Sequence, residues 1–140
     1  MRTIVWLPLI VLLSGALACE KPAPKRALTY HDLIGFVDAP AAEGKVGPVF
    51  LVAGWALGRQ GVERVRIYLD DELVGTADVN VPRPDLDKQF PQYAATGPNH
   101  GFTVTVDVGT RSGYRSLRIE AIDRAGARAQ VASINVKIEP

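Results

Sequence analysis

The strongest constraint on this chain is a period of two in its apolar residues. Phe102, Val104, Val106 and Val108 alternate with Thr103, Thr105 and Asp107, the spacing of a strand with one buried and one wet face. Val65, Ile67 and Leu69 alternate in the same way with Arg64, Arg66 and Tyr68, which puts two arginines and a tyrosine on a solvated face. Asp70 and Asp71 then make a tight turn into residues 73–79, so these two runs pair as a hairpin. Leu33, Gly35 and Val37 form a short opening strand that Pro40 ends, and residues 117–121 form another after a turn at 109–113. Beyond a turn at 123–126, Ala132, Ile134, Val136 and Ile138 alternate with Ser133, Asn135 and Lys137. Val49, Leu51, Ala53 and Trp55 alternate with Phe50, Val52, Gly54 and Ala56, a run apolar on both faces and therefore a central strand. Trp55 continues the Val49, Leu51, Ala53 face and is expected in the core, as the large filler of a sandwich.

These seven strands occupy about 110 residues, and helical periodicity is confined to the amino-terminal segment. A parallel sheet needs crossover helices, so the pattern predicts an all-β fold, a seven-stranded antiparallel β-sandwich. The sequence holds a single cysteine. The domain therefore stands on its core without an internal disulfide, which a domain well above roughly 80 residues is able to do.

The amino-terminal segment carries an address. Arg2 precedes an apolar run over residues 4–13, interrupted only by Pro8, and Ser14, Gly15, Ala16, Leu17 and Ala18 lead to Cys19. The run suits a secretory core and is too short for a spanning helix, which needs about twenty residues. Residues 14–19 resemble the lipobox of bacterial lipoprotein precursors, in which the cysteine is acylated through sulfur and becomes the mature amino terminus. Ala16 stands where the commonest pattern has leucine, with Leu17 one place late, so plain secretory cleavage is the alternative. A lone cysteine between a leader and a tether suits an anchor better than a buried thiol, because a stray thiol in an exported protein invites oxidation. Residues 1–18 are thus expected as a lipoprotein-type signal peptide, residues 19–30 as anchor and flexible tether, and residues 31–140 as the folded domain. The tether holds Pro22, Pro24, Lys21, Lys25 and Arg26, a solvated, semi-extended composition. Glu20 is not the aspartate that commonly retains such lipoproteins at the inner membrane. The expected address is the outer membrane, periplasmic side, or the cell membrane in a host without an outer one.

Charge narrows the partners. Of 16 basic residues only Arg2 lies in the removed segment, which holds none of the 15 acidic ones, so the mature chain is neutral. Nucleic-acid binding without sequence preference requires a surplus of cations, so no nucleic-acid partner is expected.

A family resemblance spans residues 34–138. Gly54-Trp55-Ala56, Tyr68-Leu69-Asp70 with Leu73-Val74-Gly75, Arg83-Pro84-Asp85-Leu86 with Phe90-Pro91 and Tyr93, Gly101-Phe102, and residues 117–126 together resemble bacterial immunoglobulin-like domains of exported proteins. The resemblance implies an immunoglobulin-like sandwich used as a noncatalytic module of cell-surface and exported proteins.

The connection over residues 80–99 is the candidate place for a grafted site, since loops beyond about 15 residues are usually functional or disordered. Arg83, Asp85 and Asp87 offer polar contacts, and Phe90 and Tyr93 offer stacking faces for a sugar ring. The same residues suit a structural role: Phe90 and Tyr93 as a plug for the open end of the sandwich, and Arg83 paired with Asp85 or Asp87. Other constellations are weaker. Asp70, Asp71 and Glu72 lack the spacing of a calcium loop and suit a solvated turn. His31 and His100 have no ligand partners at zinc spacing, and no serine sits in a nucleophile elbow. Gly58 and Gly61 precede no helix that would present a phosphate site. No cofactor and no metal are expected.

Two functions fit. The first is a noncatalytic, membrane-anchored module, held to the lipid bilayer through acylated Cys19, that binds an envelope protein or glycan through its loops or a sheet edge. The second is a small envelope enzyme with its site in the 80–99 loop, which would need a cleft joining Asp85, Asp87 and His100.

Overall fold

The computed structural model describes residues 32–140. The signal peptide, Cys19, the tether and His31 lie outside the described residues. Two sheets face each other. The first has four strands in the order β1 (Ile34–Ala39), β3 (Val49–Leu57), β7 (Asn99–Asp107) and β6 (Val81–Pro82). The second has five, in the order β2 (Gly44–Val46), β9 (Arg128–Ile138), β8 (Gly113–Asp123), β4 (Val62–Leu69) and β5 (Glu72–Asp78). All seven expected strands are present, but the described residues hold nine. β2 and β6 have three and two residues, too few for a period of two to register. The sandwich is not wholly antiparallel either, because β2 runs parallel to β9. After β1 the chain leaves the first sheet through Pro40, turns with Gly44 N–H donating to the Ala41 carbonyl at 2.9 Å, and joins the edge of the second.

The core lies between the sheets. Phe50, Val52, Phe102 and Val106 enter it from the first sheet, and Val65, Ile67, Leu69, Leu117, Ile119, Val136 and Ile138 from the second. Each such side chain contributes about 1.5–3 kcal/mol through removal from water. Phe102 pairs across strands with Gly54, and a Cβ on Gly54 would collide with the Phe36 carbonyl of β1 and sit 2.9 Å from the Phe102 ring. Glycine is required here for close approach: the β1 backbone and the phenyl ring both come up against the bare backbone of β3.

This packing also sets the phase of β3. Phe50, Val52 and Ala56 are buried, whereas Val49 and Leu51 are exposed and Trp55 is half-buried. The expectation that Trp55 fills the core is therefore corrected. Both faces of this strand are apolar, so periodicity could not choose between them; the position of Phe102 over Gly54 chose.

The hairpin at Asp70 and Asp71 forms as expected, joining β4 to β5. Asp70 adopts a φ of 53° and its carboxylate accepts from Ser116 N–H at 3.2 Å and faces Arg115 at 3.3 Å. Glu72 pairs with Arg111. Two of the three adjacent acids are thus committed to arginines of β8 and its preceding turn.

Replacing Phe102 with alanine is expected to cost about 3–5 kcal/mol, the usual range for emptying an aromatic core site. Equilibrium denaturation measures this; a loss below about 1 kcal/mol would mean that the ring does not organise the core.

Candidate functional site

The connection between β6 and β7 is folded rather than open. It contains helix α1 (Pro84–Gln89) followed by a 3-10 helix over Pro91–Thr96. Proline begins each, where a missing N–H costs nothing. Both are shorter than two turns of periodic pattern, which is why no helical signal marks them in the sequence.

Arg83 ties this connection to the first sheet. Its guanidinium donates to both carboxylate oxygens of Asp85, Nε at 3.0 Å and Nη2 at 2.9 Å, and reaches Asp38 of β1 with Nη1 at 2.8 Å. Gly101 makes the crossing possible: a Cβ there would lie 3.2 Å from Arg83 Cγ and 2.9 Å from Val81 Cβ. The two carboxylates, Asp85 first and then Asp38, hold the guanidinium above its usual pKa. The hydrogen bond from Arg83 in turn holds the Asp85 carboxyl below the ordinary aspartate range.

Asp87 takes a different partner. Its Oδ1 lies 2.8 Å from Nε2 of His100, whose side chain is 4% exposed. This couple fastens α1 to the start of β7. Leu86 and Tyr93 are buried, and Thr96 Oγ1 donates to the Tyr93 carbonyl at 2.8 Å. Phe90 packs on Trp55 with ring centroids 5.6 Å apart at 42°, and Trp55 stacks on Phe36 of β1 at 6.4 Å and 28°.

The five expected loop residues therefore separate. Arg83 and Asp85 form one cluster, Asp87 joins His100, Phe90 joins Trp55, and Tyr93 is buried. Arg83 and Phe90 reach the outer face of the first sheet beside Gly101 and Trp55, whereas Tyr93 is buried and Asp87 is held against His100. Of the three groups named for a cleft, Asp85 is held by Arg83, and His100 is buried against Asp87.

The surface that emerges instead is the outer face of the first sheet. Phe36, Val49 and Leu51 expose 57%, 57% and 51% of their area, and Trp55 with Phe90 borders them at one end. Thr103 and Thr105 of β7 lie beside Ala53 and Leu51 in register. The other sheet shows the opposite chemistry. Arg66 faces Glu120 at 3.9 Å, Tyr68 Oη donates to Glu120 at 3.5 Å, and the Arg118 guanidinium stands 4.2 Å over the Tyr68 ring. Trp55 thus lies on the opposite outer face of the sandwich from Arg64, Arg66 and Tyr68.

Phe36, Asp38, Val49 and Leu51 were not among the expected site residues. Phe36 carried a usable signal: it is out of phase with Gly35 and Val37, so an inward Val37 forces a large aromatic outward. Asp38 carried none, because its partner Arg83 is 45 residues away.

No protein-family model matches the chain, and comparison with curated proteins gives no match. Solved structures show its fold. The chain is similar to fibronectin(III)-like modules of CbhA from Clostridium thermocellum, with 17% identity and a TM-score of 0.51 over 76% of this chain and 93% of that one. It is also similar to part of the endo-beta-1,4-mannanase from Thermotoga petrophila, with 11% identity and a TM-score of 0.52 over 79% of this chain. The match spans 20% of the mannanase. At these identities the likeness concerns the fold alone, a two-sheet sandwich of the immunoglobulin and fibronectin-III type.

In an NMR titration the Asp85 carboxyl is expected to lose its proton below the ordinary aspartate value in the native protein and at a higher pH in Arg83→Ala than in the native protein. A group whose folded pKa is depressed stabilises the native state above its unfolded pKa and loses that effect as pH falls through the folded one. The contribution of this pair is therefore fully present above about pH 4 and is lost progressively as pH falls from there through the lower native value. An Asp85 titration that does not move in Arg83→Ala would contradict the pairing.

Proposed function

We propose that this chain is a noncatalytic binding module, exported and lipid-anchored through Cys19, that docks an envelope protein on the outer face of its four-stranded sheet. The observation that carries the reading is the set of large apolar side chains exposed on that face, Phe36, Val49 and Leu51, with the Arg83–Asp38 pair beside them, where the other outer face carries Arg66, Glu120 and a cation–π contact. Val49 and Leu51 share that face of β3, and Phe36 stands opposite Trp55 four residues farther along it; a domain in water rarely leaves several large apolar side chains exposed on one face without a use for them.

A protein suits this face better than a glycan. Sugars stack on free aromatic faces, and here Trp55 already carries Phe36 and Phe90 against it. What remains between the aromatic end and the β2–β3 turn is aliphatic, Val49 and Leu51, a surface that takes apolar side chains. The 80–99 connection supports the site from one end: Arg83 and Phe90 hold it down, and its acids are engaged rather than poised for proton transfer. General acid–base work requires a group within reach of a substrate, and His100 is enclosed against Asp87.

The address rests on the leader and on Cys19. With acylation there, the outer membrane, periplasmic side, is the preferred location, and the tether over residues 19–30 sets the reach of the domain. Among the described residues no helix is long and apolar enough to cross a membrane.

Two measurements test this. Metabolic labelling with a fatty acid is expected to mark the full chain and not Cys19→Ser; labelling of both, or of neither, would remove the anchor. Co-purification from envelopes is expected to lose a protein partner in Leu51→Lys and to retain it in Arg66→Glu, with both variants folded. Retention in the first and loss in the second would move the contact to the other sheet.

A further inference from the structure

We infer that the edge of β7 over residues 103–107 is a self-association site, where a second copy of this chain adds its own β7 antiparallel to form one continuous sheet. β6 covers only the start of β7, pairing Val81 with Gly101 and Pro82 with Asn99. Beyond Gly101 no described strand pairs with β7 on that side. The direction of the backbone groups follows from one bond. Val108 N–H, just past β7, donates at 2.9 Å to the carbonyl of Pro48, just before β3, and the register pairs Asp107 with Val49, Thr105 with Leu51 and Thr103 with Ala53. Peptide groups alternate from edge to edge along a strand, so those of Val104 and Val106 also face β3. The N–H and C=O groups of Thr103, Thr105 and Asp107 face the open edge.

Such an edge is a template for another strand unless charge, proline or a bulge blunts it. Residues 103–106 are Thr-Val-Thr-Val, β-branched throughout and free of lysine and proline. Two of the other edges are managed. β1 is broken by a register shift between Val37 and Ala39 and stopped by Pro40. Pairing β5 with itself about Gly75 would set Glu72 opposite Asp78, two like charges in register.

β7 is compatible with itself. A two-fold axis through Thr105 sets Thr105 against its own copy, Thr103 against Asp107, and Val104 against Val106. The first two are hydroxyl–hydroxyl and hydroxyl–carboxylate pairs, both favourable across strands, and no like charges meet. Each exposed N–H and C=O of Thr103, Thr105 and Asp107 then finds a partner in the other copy. The interface is isologous, as a two-fold dimer requires.

The test uses the full chain with Cys19→Ser, which leaves no native thiol. Thr105→Cys is expected to form a covalent dimer with a short bis-maleimide, because the axis brings the two positions together. Thr103→Cys is expected not to, since its two copies lie about four residues apart along the strands, roughly 14 Å. Sedimentation is expected to show a monomer–dimer equilibrium for the unsubstituted edge and monomer alone for Thr105→Lys, with the unfolding transition of the monomer unchanged. A monomer at every concentration, a dimer that persists in Thr105→Lys, or equal cross-linking at 103 and 105 would overturn the proposal.

Discussion

The fold depends on the seating of Phe102 over Gly54. One cysteine in the whole sequence leaves no disulfide to join the sheets, so their union rests on apolar burial. Phe102 is the largest side chain among the most completely buried, and it reaches its place only because β3 presents a bare backbone opposite. That single contact fixes which half of an all-apolar strand turns inward. With Phe50, Val52, Gly54 and Ala56 facing the core, Val49, Leu51, Ala53 and Trp55 have no choice but the outer face. The proposed contact surface is thus a consequence of core packing.

A second layer of order follows at the end of that face. Trp55, turned outward, would be a large wet aromatic; Phe36 and Phe90 shelter it. Phe90 arrives there because α1 and the 3-10 helix are held by a polar frame, Arg83 to Asp85 and Asp38, and Asp87 to His100. An exposed ion pair alone is worth little. Here a two-pronged arginine links the connection to β1, and its stem crosses the sheet above Gly101. The long connection serves as a brace, and the open surface lies beside it.

How much of this was legible in the sequence differs by length scale. Strands with one apolar and one polar face announce themselves, and β4, β7 and β9 do so through residues such as Ile67, Val106 and Val136. β3 was legible as a strand but not in phase, because Leu51 and Val52 are equally apolar and only the distant Phe102 distinguishes them. β2 and β6 are held by neighbours rather than by pattern: Lys45 sits in its parallel pairing because β9 is already there. In the 80–99 connection the pairing of Arg83 with Asp85 follows from proximity, whereas Asp38 and His100 come from elsewhere in the chain. Phe36 was the missed signal, an aromatic one step out of phase with the inward Val37.

The central claim is that the apolar outer face of the four-stranded sheet, and not the charged face, meets a partner. Site-specific photo-cross-linking in living cells tests it most directly, with a photoreactive residue placed in the full chain at Leu51 or, in a parallel strain, at Arg66. An adduct with a different polypeptide is expected from position 51 and none from position 66. Adducts from position 66 with none from position 51 would contradict it.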